Sequence, residues 1–184
     1  MHRLPILGLA LVGALALSGC DKVAEKAGEK LAERAIEGQA KDGTKARVDL
    51  SGGSAKVTTT DASGKTSSME LGGAQVSEAD VGIAFYGGAK PREGGSSKMV
   101  SPQGTTFSVM LHSVDGPDKV LAFYREKLKA QAQGKQFMDM NTGEGQATLV
   151  VADQQGKNSL QIHVARAADA GSDISIVAMR SAEK

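Results

Sequence analysis

Apolar side chains at every second position dominate the last third of this chain: Leu160, Ile162 and Val164, then Ile174, Ile176 and Ala178. Successive side chains of a strand point to opposite faces, so this two-residue period requires a sheet with one buried face. The same alternation runs through Thr105–Ser113, where Phe107, Val109 and Leu111 share a face, and shorter strands are predicted at Gln136–Met140 and Ala147–Asp153. Gln155-Gly156-Lys157-Asn158 reads as a hairpin turn, and Ala170-Gly171-Ser172 as the turn before the last strand. One helix interrupts the series. Asp115-Gly116-Pro117-Asp118 opens it, with proline at a tolerated first position and acids near the positive end of the dipole; Val120, Leu121, Tyr124 and Leu128 form its apolar face. Adjacent strands with a single helix give an α+β fold, an antiparallel sheet carrying a helix on one face. All six aromatics fall between Phe85 and Phe137, which places the dense core there. Val81–Tyr86 is expected as a short strand. The stretch 87–103, with Pro91, Pro102 and four glycines before Gln103, is expected as a surface loop.

Ahead of this α+β domain (75–184), residues 41–74 read as a small three-stranded meander. Ala46, Val48 and Leu50 alternate with Lys45, Arg47 and Asp49; Lys56–Thr60 and Thr66–Leu71 follow, separated by Ser51-Gly52-Gly53-Ser54 and Asp61-Ala62-Ser63-Gly64. The meander holds few large apolar groups and is expected to lean on its neighbour. Before it, residues 22–37 repeat in fours, a base first and an acid last in each block, which predicts a helix with base and acid three residues apart. Val23, Ala27, Leu31 and Ala35 make a narrow apolar stripe on it. The helix reads as a solvated spacer, or as a stripe that docks on the domain, a partner or lipid headgroups.

The beginning of the chain has the parts of a secretory signal over residues 1–19: Arg3, an apolar run from Leu4 to Leu17, and a small-residue cleavage point. The run is shorter than the roughly 20 apolar residues that span a bilayer. Leu17-Ser18-Gly19-Cys20 resembles the lipobox of bacterial lipoproteins, which implies cleavage before Cys20 and acylation of its thiol. Cys20 is the only cysteine, so a lipid accounts for it. Residues 20–40 are then a lipidated helical tether, and the membrane is the first partner. Asp21 resembles an inner-membrane retention signal, which favours the periplasmic face of the inner membrane over the outer membrane.

The order of a Lys/Thr-rich hairpin, then Val81-Gly-Ile-Ala-Phe-Tyr-Gly-Gly-Ala-Lys90, then Asp115-Gly-Pro-Asp-Lys-Val-Leu-Ala-Phe-Tyr124 is similar to a group of uncharacterised bacterial envelope lipoproteins over roughly residues 45 to 180. Gly87 stands where that group usually has proline. The resemblance implies architecture and anchoring and brings no activity with it.

Chemistry is sparse. Of the 22 basic and 21 acidic side chains only Arg3 lies within residues 1–19, so the remainder balances, which argues against a nucleic-acid partner. His112 and His163 lie on the polar sides of their strands, where they read as half-exposed residues or as a site for a metal or proton relay. Ser96, Ser97 and Ser101 lack a neighbouring base. Asp115 with Asp118 reads as helix capping, Asp61 and Asp153 as turn residues, and Met99, Met110, Met138, Met140 and Met179 as core filling rather than a soft-metal site. No cofactor, metal or catalytic residue is assigned. The expected role is a non-enzymatic binding module that offers a sheet face or the 87–103 stretch to an envelope protein. Alternatives are a periplasmic enzyme or regulatory subunit with a site around His112 and His163, and a structural envelope component.

If Cys20 carries the lipid, Cys20→Ser blocks acylation and leaves an unprocessed precursor. Labelled palmitate still entering the Cys20→Ser protein would refute the assignment.

Overall fold

The computed structural model describes residues 22–40, 43–51, 53–143 and 145–182. The signal and lipobox residues Leu17, Ser18, Gly19 and Cys20, and the sorting residue Asp21, lie outside them. The elements are α1 (Lys22–Gln39), β1 (Lys45–Ser51), β2 (Ser54–Thr60), β3 (Thr66–Leu71), α2 (Glu78–Val81), β4 (Lys90–Ser101), β5 (Gly104–Ser113), α3 (Pro117–Gln131), β6 (Gln136–Gly143), β7 (Gln146–Ala152), β8 (Ser159–Arg166) and β9 (Ser172–Ser181). The fold is α+β. All nine strands join one antiparallel sheet in the order β1-β2-β3-β4-β5-β9-β8-β7-β6. The chain meanders from β1 to β5, crosses on α3 to the far edge at β6, and meanders back until β9 pairs with β5.

The core forms where α3 lies on that second meander. Val120, Leu121, Tyr124 and Leu128 are fully buried against Val109, Leu111, Leu149, Leu160, Ile162 and Ile176, with Phe107 and Phe137 at its margin. Gly116 is the N-cap, without a side-chain bond, and Pro117 fills the first turn, where no backbone donor is needed. Asp115 therefore does not cap α3. Its carboxylate instead accepts from the Tyr86 hydroxyl (2.7 Å) and Lys119 Nζ (3.0 Å), which hold it below the usual carboxylate range, the Tyr86 bond first.

Residues 81–86 are not a strand. Ser77 and Asp80 form a capping box that starts α2, and Gly82, in the left-handed region at φ 75°, ends it. Side chains then take over the backbone groups that a ladder would have satisfied. Glu78 Oε1 accepts from Phe85 N (2.8 Å), the Tyr124 hydroxyl oxygen from Tyr86 N (3.0 Å), and Val81 O receives Arg180 Nη2 (2.9 Å). Burial pushes Tyr124 up to about 12, so its hydroxyl stays neutral through the ordinary pH range.

Nor is 87–103 a loop. Most of it is β4, whose Ser96–Ser101 segment pairs in register with Gly104–Val109. Four residues, Arg92 to Gly95, lie at the shift in register between Pro91 and Ser96. Proline is tolerated because β3 reaches only Ser97–Val100, so Pro91 has an edge on one side.

At the other end of the sheet, α1 lies along β1 through its glutamates. Glu37, Glu33 and Glu29 accept from the amides of Ala46 (2.9 Å), Val48 (3.0 Å) and Leu50 (3.0 Å). Four helical residues advance about 6.0 Å and two strand residues about 6.8 Å, so a carboxylate at every fourth helix residue meets the amide of every second strand residue. Glu29 is buried, whereas Leu31 is 68% exposed and Ala27 and Ala35 face solvent. The helix therefore docks by the acidic row and leaves Ala27, Leu31 and Ala35 of the expected apolar stripe outside; the side chain of Val23 is not among those described.

Leu121→Ala or Leu128→Ala is expected to cost about 2–5 kcal/mol, because each leaves a cavity in a fully buried contact. Thermal melts of the two variants check it; unchanged melts would mean that this helix face carries no core.

Candidate functional site

Cross-strand register shows what the sheet presents on the face away from α3. One row runs Met110–Ser175–His163–Thr148–Met140 across β5, β9, β8, β7 and β6; the next runs Ser108–Val177–Gln161–Val150–Met138. A third begins at Met69 and continues Met99–Thr106–Met179–Ser159. Met99, Met110, Met138, Met140 and Met179 are 41% to 47% exposed, so these side chains are not core filling as expected from sequence. They stand on an open face, spaced by hydroxyls, Gln161 and His163. Thioether side chains there offer flexible, polarizable apolar area without a fixed shape.

The two histidines share this face but do not meet. They stand two strands and two residues apart, about 12 Å by sheet spacing. His163 Nδ1 lies 3.0 Å from the Thr148 hydroxyl, its cross-strand neighbour. His112 is more heavily partnered than its sequence neighbours suggested. Its Nε2 lies 3.0 Å from Asp169 Oδ2 and its Nδ1 3.2 Å from Asp173 Oδ1, and Arg92 Nη2 also donates to Asp173. Two carboxylates thus stand beside His112, although neither lies near it in the sequence. Asp173 comes from β9 and Asp169 from the turn before it, and only the β5–β9 pairing brings them to His112. The Arg92 side arrives through the β4 bulge. Nothing near His112 in sequence signals these three partners.

Burial opposes ionisation of Asp173, but the bonds from Arg92 and His112 outweigh it and hold the carboxyl below its ordinary range. The other acidic candidates have local roles. Asp61 closes the β2–β3 turn by accepting from Ser63 N, Ser63 Oγ and Lys65 N, and Asp153 closes the β7–β8 turn by accepting from Gln155, Lys157 and Asn158 amides. Ser96 and Ser101 donate to the carbonyls of Ala74 and Gly104, while Ser97 pairs across the strands with Ser108. Among the described residues no group of three or more His, Cys, Asp or Glu side chains could hold a metal ion.

Among the described residues two surface depressions stand out, neither lined by a histidine. One of about 260 Å³ lies between the end of α3 and β8, bounded by Gln131, Lys135, Asp153, Asn158 and Arg180. The other, about 650 Å³ and lined by Gln146, Arg166, Ala167 and Ala168, sits at the opposite end of the sheet. Among the described residues no helix is long and apolar enough to cross a membrane. No protein-family model matches the sequence, and neither curated proteins nor solved structures give a match.

The folded-state carboxyl of Asp173 ionises more readily than an unfolded one. Its stabilising contribution is therefore present above the unfolded value near 4 and is lost as pH falls through the lowered folded value. Asp173→Asn should destabilise by roughly 0.5–1 kcal/mol at neutral pH, discounted for a side chain this exposed, and the gap to the parent should close below about pH 4. Melts of both proteins from pH 7 to 3 test this; a gap independent of pH would remove the ion pairs as its cause.

Proposed function

We propose that this chain is a lipid-anchored cell-envelope protein, held to the membrane through Cys20, whose open sheet face binds a protein partner without chemistry on it. One observation carries the reading: the face opposite α3 displays Met110, Met138, Met140 and Met179, each more than 40% exposed, with Val150 and Val177 between them. Large apolar side chains gathered on one exposed face are the usual mark of an interaction surface. Hydroxyls, the Gln161 amide and His163 separate them, and the Arg92, His112, Asp169 and Asp173 cluster lies at one end, beside Met110, so the apolar centre of the face can be desolvated at low cost. Asp21 favours the inner membrane, with the domain in the periplasm.

The cluster at His112 favours a second reading, an enzyme or regulatory subunit in which the imidazole between Asp169 and Asp173 handles a proton. Against it, the cluster lies on the open face and not in either depression. One experiment separates the two. Crosslinking in intact membranes, followed by recovery of the full-length protein, should give a specific adduct with the parent chain. Met110→Lys with Met179→Lys should lose about tenfold or more of it, as expected for central contacts worth above 1 kcal/mol. His112→Ala with His163→Ala should retain the adduct. If the histidine variant folds normally yet reproduces the gene-deletion phenotype while the lysine variant does not, the second reading replaces the first.

A further inference from the structure

We infer that β1 is a self-pairing edge, and that α1 occupies the place of the β1 strand of a second copy of this chain. Ala46, Val48 and Leu50 turn their amides away from β2, and all three are taken by glutamate carboxylates of α1 rather than by backbone carbonyls. A carboxylate row at this spacing substitutes for a strand, since it meets the same alternate donors that a ladder would.

What would pair there is written in β1 itself, Lys45-Ala-Arg-Val-Asp-Leu-Ser51. Antiparallel pairing of two copies must set outward residues opposite outward residues, so the full-length register is centred on Val48. It opposes Val48 to Val48 and Ala46 to Leu50 on one face. On the other it opposes Arg47 to Asp49 twice, once on each side of the twofold axis. Both side chains are exposed and free to reach across. Opposite charges directly across a strand pair are stabilising and like charges are not. The neighbouring registers fail on that ground. Setting Ala46 against Val48 brings Arg47 onto Arg47, setting Val48 against Leu50 brings Asp49 onto Asp49, and centring on Ala46 brings Lys45 onto Arg47. Centring on Leu50 also avoids like charges but pairs only Asp49, Leu50 and Ser51 of the strand, so the Val48 register alone combines full overlap with charge complementarity, and it is isologous, as a closed dimer requires. In the structure α1 holds this edge shut; with α1 displaced, two sheets join edge to edge.

The test is the oligomeric state of the full-length chain in detergent micelles by density-matched sedimentation equilibrium. Glu29→Ala with Glu33→Ala and Glu37→Ala removes the three acceptors without lowering helix propensity. This variant should dimerise at a concentration about tenfold or more below the wild-type chain. Adding Arg47→Asp, which faces Asp49 with an acid, should return dissociation to the wild-type level. Adding both Arg47→Asp and Asp49→Arg should restore the dimer. A triple variant that associates no more than wild type overturns the proposal, and so does a dimer indifferent to Arg47→Asp. If circular dichroism shows the triple variant unfolded, Glu33→Ala, which removes only the central acceptor, is read in the same way. The expected shift is then smaller but in the same direction, and an unshifted equilibrium overturns the proposal.

Discussion

Pairing of β5 with β9 joins ten residues to ten, from Gly104 opposite Ser181 to Ser113 opposite Ser172, across a sequence separation that no other strand pair approaches. It converts two local meanders into one sheet. On one face it sets Val109 and Leu111 beside Ile174 and Ile176, which extends the core that α3 closes over β7 and β8 toward α2. On the opposite face the same ten pairs set His112 against Asp173 and Met110 against Ser175. Core and exposed face are therefore two sides of one ladder, and closing a loop of some sixty residues is the entropic cost of both. The tightness of its start shows at Gly104, where an added Cβ would stand 2.1 Å from the Arg180 carbonyl oxygen.

How much of this was readable in the sequence follows from which contacts are local. Period-two alternation locates Ser159–Arg166, because a strand with one buried face must show it, while the Asp61-Ala62-Ser63-Gly64 turn is what marks Thr66–Leu71 as the next strand. β4 shows no such alternation. Its face toward the core carries Ser96 and Lys98, and its centre is a bulge with two glycines, so composition reads as loop while backbone pairing makes it a strand. At 81–86 the apolar run resembled a strand, but the capping box at Ser77 and the left-handed Gly82 are local signals that compete with it and prevail. The partners of His112 are illegible for a different reason: they depend on strand order, and strand order is a long-range property. So is the role of the α1 glutamates, which in sequence are only the acidic ends of Lys/Glu pairs. Lys26–Glu29 (2.9 Å) and Lys30–Glu33 (2.6 Å) do form, yet each glutamate spends its other oxygen on β1.

Exposed methionines sit on the sheet for a reason that strand chemistry makes plain. A strand needs side chains that tolerate the pleat, and Met140, Met138, Met110 and Met179 do so while remaining adaptable. Thr148, Ser159, Gln161 and His163 between them keep the face wetted, which limits association with unintended surfaces.

The two edges of the sheet are protected in different ways, and the difference locates where the molecule is open to change. β6, the far edge, carries its protection within itself. Asp139 points toward α3 and is held there by Arg125 (2.8 Å), so an inward charge sits in mid-strand, and the register shifts between Asn141 and Gly143. Another strand cannot pair along its full length without meeting the bulge. β1 has neither device. Its seven residues are regular, without bulge or proline, and pair with β2 in unbroken register. Its protection is supplied from outside by three carboxylates of a separate helix, and in the proposed arrangement that helix also leads to the membrane anchor. An edge guarded by covalent sequence is closed permanently. One guarded by a docked helix is closed only while that helix stays.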